Sequence, residues 1–138
     1  MTRHVDPDPQ HFALLKDLPR DQPVNMLNLV RLREIAAYED GQKATGAQAY
    51  AEYGRLSGPI FARSGGKIIW SGTFEHMVIG PVEEKWDVAF IAEYPTGQAF
   101  LDMVFDPEYR AIVHHRTAAV ETSRLIRLKP QPVNSGFA

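Results

Sequence analysis

The chain has 138 residues, 44% of them hydrophobic and 23% charged, with a formal net charge of -2. That length suits one domain with one sizeable core. With no cysteine the chain has no disulfide, no thiolate metal site and no cysteine nucleophile, its scattered basic residues mark no nucleic-acid surface, and no apolar run approaches the roughly 20 residues of a membrane helix.

The opening MTRHVDPDPQ lacks the apolar centre of a signal peptide, so the expected location is the cytoplasm. Asp8-Pro9 reads as a helix start, with Asp8 as N-cap and Pro9 at the first helical position. Phe12, Leu14, Leu15 and Leu18 then predict a short amphipathic helix ending before Pro19. PVNMLNLVRL, 23–32, is a first strand. The polar stretch from Arg33 to Ala44, with Asp40-Gly41, reads as a long loop of the kind that often forms a lid. Residues 45–64 are helical by pattern. Pro59 cannot donate to the Arg55 carbonyl, so a kink or break is expected there.

GKIIWSGT, 66–73, is a second strand, with Phe74 to Ile79 extending it or pairing with it. After a turn at Gly80-Pro81 comes a third strand, Trp86–Tyr94, closed by Pro95. A short helix covers 96–104. Asp106-Pro107 repeats the cap-plus-proline signal and opens a helix to about Val120, and 122–128 is the last strand. The expected division is a helical extension over 1–22, a domain over 23–128 and a loose tail over 129–138. Without the first helix the order is βαββαβ. This is the α+β, ferredoxin-like arrangement, an antiparallel sheet with both helices on one face.

Such a sheet should alternate apolar with polar residues, yet both faces of these strands are apolar. Met26, Val30 and Leu32 oppose Leu27 and Leu29; Trp86, Val88, Phe90 and Tyr94 oppose Ala89 and Ile91. The helices can cover one face. A second copy packing sheet against sheet would cover the other, giving a homodimer; the extra helix or the tail is the alternative cover.

In the helix from Pro107, Tyr109, Ile112, Val113 and Val120 form one stripe at ~100° per residue, with Arg116 in its middle. His115 lies at the stripe's edge and His114 faces solvent. An arginine aimed at a sheet needs an anion. That anion is either a protein carboxylate (Asp87, Glu75 or Glu121) or the anionic group of a ligand. In the helix from Thr45, Tyr50, Tyr53, Ile60 and Phe61 point inward, with Gly54 and Ser57 at the centre. These small residues either allow close packing on the sheet or leave a pocket lined by Tyr53, Ser57 and Trp70. Asn25 and Asn28 lie on opposite faces of the first strand; either a backbone contact satisfies them or one orients a ligand carbonyl. No nucleotide loop, zinc-protease helix or serine-hydrolase elbow is present, and the five histidines lack metal-ligand spacing.

The run from about Tyr50 to Leu128, together with MLNLVRLRE (26–34), AYAEYGRLSGPIFARSGGKIIWSG (49–72), WD (86–87), EYP (93–95), DPEY (106–109) and HRTAAVETSRLI (115–126), resembles DUF1330 domains of the dimeric α/β-barrel group. The resemblance implies a ferredoxin-like protomer whose sheet packs on that of a partner. It implies no reaction, since the wider group includes cofactor-free oxygenases, isomerases, lyases and haem enzymes. Polar positions of the family pattern fall on Asn28, Tyr53, Asp87, His115 and Arg116, and no histidine stands out as a haem ligand.

The expected function is small-molecule binding, with or without chemistry that needs no metal or organic cofactor, on an anionic or carbonyl-containing metabolite. His115, Arg116 and Asp87 are the candidate catalytic groups. Asn28, Tyr53, Ser57, Trp70 and Tyr109 are the candidate ligand contacts. The alternatives are a non-catalytic ligand carrier and a purely structural homodimer.

Overall fold

In a computed structural model, which describes residues 2–134, 136 and 137, four strands make one antiparallel sheet in the order β2-β3-β1-β4. The strands are β1 (Val24–Leu32), β2 (Lys67–Gly72), β3 (Val88–Tyr94) and β4 (Val120–Leu128). Helix α2 (Gly46–Arg63) joins β1 to β2. Between β3 and β4 lie α3 (Gly97–Phe105), α4 (Pro107–Ile112) and α5 (His114–Ala119). The strand order and crossovers are those of a ferredoxin-like fold. Of the expected extension and tail, Met1, Ser135 and Ala138 lie outside the described residues.

The helix starts follow from their caps. Asp8 Oδ1 accepts from the Gln10 and His11 N–H groups to open α1 (Pro9–Lys16). Thr45 and Gln48 form a reciprocal capping box at α2. Asp106 accepts from the Glu108 N–H ahead of α4. Helix α1 lies on the domain, with Phe12 and Leu15 packed against the core of Val24, Met26, Ile60, Ala92, Tyr94, Phe100, Leu101 and Met103.

Register assigns the faces. Val24, Met26 and Asn28 of β1 pair with Tyr94, Ala92 and Phe90 of β3 and point to the helices. Leu27 pairs with both Ile91 and Ile126, Leu29 with Ala89, and Asn25 with Leu128, all on the other face. That face carries Ile126 at 43% and Leu128 at 41% exposure.

Three elements differ from the sequence expectation. Helix α2 runs unbroken through Pro59, which lies on its exposed side, where water can serve the Arg55 carbonyl. The helix from Pro107 is two helices with Val113 between them. Since Val113 keeps helical angles and its carbonyl accepts from both Arg116 and Thr117, the side-chain stripe carries across the break. Phe74 to Ile79 adds no strand; Val78 and Ile79 stay 82% and 92% exposed in the long connection to β3.

Candidate functional site

Beneath the helices, against the inner face of the sheet, lies a cavity of about 1430 Å³. Helix α2 does not close down on it. A Cβ built on Gly54 or Gly58 meets nothing within 4 Å, so these glycines do not mediate close packing. Leu125 and Ile68, which belong to the helix-facing side of β4 and β2, remain 45% and 49% exposed. The walls include Met26, Tyr50, Phe61, Phe90, Tyr94 and Phe100, an apolar and mainly aromatic surface.

Six sequence-predicted residues line it together: Asn28, Tyr53, Ser57, Asp87, Tyr109 and Arg116. Asn28 donates from Nδ2 to the Met26 carbonyl at 3.0 Å, and among the described residues its Oδ1 has no donor. Ser57 is 7% exposed, yet its hydroxyl makes no hydrogen bond among the described residues. The Tyr53 and Tyr109 hydroxyls are 2.8 Å apart. Burial, and then the neighbouring Tyr53, push the Tyr109 hydroxyl well above the usual phenol range. Burial also pushes Tyr50 up to about 12, with Tyr53 adding to the shift and Arg116 opposing it. The sequence reading placed Tyr50 on the inward stripe but did not single it out as a ligand contact.

Arg116 reaches the sheet and finds only neutral acceptors. One terminal nitrogen donates to the Val5 carbonyl at 2.6 Å, the other to Ser123 Oγ at 3.2 Å. Among the described residues no carboxylate pairs with it. Glu121 pairs with Arg3, and Asp87 accepts from the Leu32 N–H at 2.7 Å. A half-buried guanidinium without an anion retains unused donor capacity. Ser123 and the Val5 carbonyl were not among the predicted site groups. Ser123 was visible as a polar position in β4, whereas a backbone carbonyl leaves no mark in a sequence.

Two predicted site residues are placed elsewhere. Trp70 is not in the cavity. A register shift between Ile68 and Trp70 leaves Ile69 unpaired, so Trp70 pairs with Ile91 and turns to the opposite face, 51% exposed. His115 points away from Arg116. Its Nδ1 is 2.6 Å from the Tyr38 hydroxyl in the loop after β1, and its ring stacks on His114 with centroids 4.1 Å apart. Burial and then the His114 charge lower its pKa. Asp87 is exposed, and besides this cavity it borders a shallower hollow with Arg31, Arg33 and Lys85. Of the three candidate catalytic groups, Arg116 and Asp87 line the cavity and His115 does not. Among the described residues no group of three or more histidine or acidic side chains could hold a metal ion, and no helix is long and apolar enough to cross a membrane.

Comparison with solved structures finds a protein of unknown function from Rhodopseudomonas palustris, RPA0582. It is 57% identical with a TM-score of 0.92, covering 96% of this chain and 100% of that one. A methylated form of it is 58% identical with a TM-score of 0.93, covering 96% and 98%. At 14% identity the likeness to SnoaB, a cofactor-independent oxygenase from Streptomyces nogalater, is one of fold alone, with a TM-score of 0.55 over 83% of this chain and 99% of that one. No curated protein matches the chain. Residues 41–127 match the family described as domain of unknown function (DUF1330), and the chain belongs to that family.

Proposed function

We propose that the protein binds a small anionic or carbonyl-containing metabolite in the cavity between α2 and the sheet, with Arg116 holding the anionic oxygen. The observation that carries this reading is the spare hydrogen-bonding capacity gathered in one apolar space. Arg116 lacks an anion, and the Ser57 hydroxyl and Asn28 Oδ1 have no hydrogen-bond partner among the described residues. Polar groups with spare capacity that converge on one apolar cavity support a ligand that completes them. Aromatic walls suit a flat ligand carrying one carboxylate.

The second reading is an enzyme that needs no metal or organic cofactor. Its support is the Tyr53–Tyr109 pair, which could pass a proton to a ligand oxygen. SnoaB gives a precedent for cofactor-independent chemistry on this fold and nothing about the substrate. In either reading we propose a homodimer closed through the outer sheet face of Leu27, Leu29, Ile91, Trp70, Ile126 and Leu128.

Thermal denaturation with formate, acetate and benzoate tests the binding reading. A carboxylate at about a hundred times its Kd adds about 2.7 kcal/mol of stability. We expect benzoate to raise the melting temperature of the wild type and to leave Arg116→Ala unmoved. A shift that survives Arg116→Ala places the ligand elsewhere.

A further inference from the structure

We propose that residues 3–8 form a displaceable strap over the cavity, and that a bound carboxylate takes the place of the Val5 carbonyl on Arg116. This rests on the ligand-site reading above and adds how the site opens.

The strap runs beside the outer edge of β4. The Ser123 N–H and Oγ both donate to the His4 carbonyl, at 2.7 and 2.9 Å, and the His4 N–H donates to Thr122 Oγ1 at 3.0 Å. Thr117 Oγ1 donates to Asp6 at 2.9 Å, and Arg3 pairs with Glu121 at 3.0 Å. Every one of these attachments is polar. Apart from Val5, which is half-buried, residues 2–8 are exposed, so the segment buries little apolar surface. Segments with little buried apolar area open locally at low cost.

His4, Val5, Asp6, Pro7 and Asp8 nevertheless line the cavity. The strap is therefore a wall of the site, and it lies outside residues 41–127 of the family match. Its central contact is the one a ligand would contest. The Val5 carbonyl sits 2.6 Å from an arginine that has no anion. A carboxylate there adds the attraction of an opposite charge that the carbonyl lacks, and a guanidinium can bind it through two nitrogens. Ligand entry and strap release thus draw on the same donor.

Amide hydrogen exchange on the full chain reads this directly. Without ligand, the Ser123 and His4 amides should exchange at least tenfold faster than the amides of β1. With saturating benzoate they should exchange faster still. Asp6→Ala and Arg3→Ala loosen the strap without touching Arg116, and each should tighten benzoate binding several-fold. Protection of the Ser123 amide equal to that of β1 overturns the strap. So does benzoate binding that depends on Arg116 while strap exchange stays unchanged or slows, or while Asp6→Ala weakens it; in those cases the site reading stands. A complete lack of Arg116-dependent response to benzoate overturns both.

Discussion

The Tyr53 and Tyr109 hydroxyls share one hydrogen bond across 2.8 Å. Burial, and then Tyr53 beside it, raise the pKa of Tyr109. One of the two hydroxyl protons is used in this bond, and the other is available to a ligand oxygen in the cavity.

Removing the Tyr53 hydroxyl has a readable consequence. Tyr53→Phe should bring the Tyr109 titration back toward the usual phenol value and cost about 1 kcal/mol of stability. A phenol whose folded pKa is raised contributes stability that is fully present below the ordinary value of 10.0 and is lost as pH rises through the folded value. The wild type should therefore lose stability above pH 10, and the variant should lose less. Ultraviolet phenolate titration with parallel denaturation curves checks both; identical alkaline profiles would remove the part of Tyr53 in the shift.

Two glycines should respond in opposite ways. Gly54 stands in mid-helix with open space around it, so Gly54→Ala should stabilise the protein by about 0.5–1 kcal/mol. A Cβ at Gly46 would lie 1.9 Å from the Arg33 carbonyl oxygen, so Gly46→Ala should be strongly destabilising. Urea denaturation of the pair measures both. A destabilising Gly54→Ala would mean that α2 sits tightly on the sheet and the cavity is not open there.

The His115 environment is testable by nuclear magnetic resonance. Burial lowers its pKa first and the His114 charge lowers it further, so His114→Ala should raise it toward 6.5. A histidine whose folded pKa is depressed opposes folding as pH falls below its ordinary value. The wild type should therefore weaken below about pH 6.5, and His114→Ala should weaken less. An unchanged His115 titration would contradict the assigned cause.

The outer sheet face can be probed with one charge. Ile126 sits on that face opposite Leu27 and is 43% exposed, so the folded protomer tolerates Ile126→Asp. Buried between two sheets, the same carboxylate would be unpaired and costly. Sedimentation should show a folded monomer for Ile126→Asp and a dimer for the wild type. A wild-type monomer at all concentrations would remove the homodimer.

Particular residues show how much of this was legible in the sequence. Tyr109 and Arg116, and Tyr53 and Ser57, could be placed in one space because helical periodicity aims them together, and Val113 interrupts that period without rotating it. The periodicity sets Arg116 in the middle of the stripe and His115 at its edge, but it does not exclude His115 from the site. The two differ by only about 100° on the helix, and the inward direction is set by the sheet below. Trp70 was misplaced because a single unpaired residue, Ile69, reverses every side chain after it. The strap's part was hidden for a different reason: it contacts Arg116 and Ser123 through the backbone carbonyls of Val5 and His4, which any residue could supply.

We propose that Arg116 awaits an anion, and a crystal structure grown in saturating benzoate checks this at the site itself. The carboxylate should lie within hydrogen-bond distance of the Arg116 guanidinium, with the ring among Tyr50, Phe61 and Phe90. Benzoate bound only elsewhere, with Arg116 still on the Val5 carbonyl and Ser123, would contradict it.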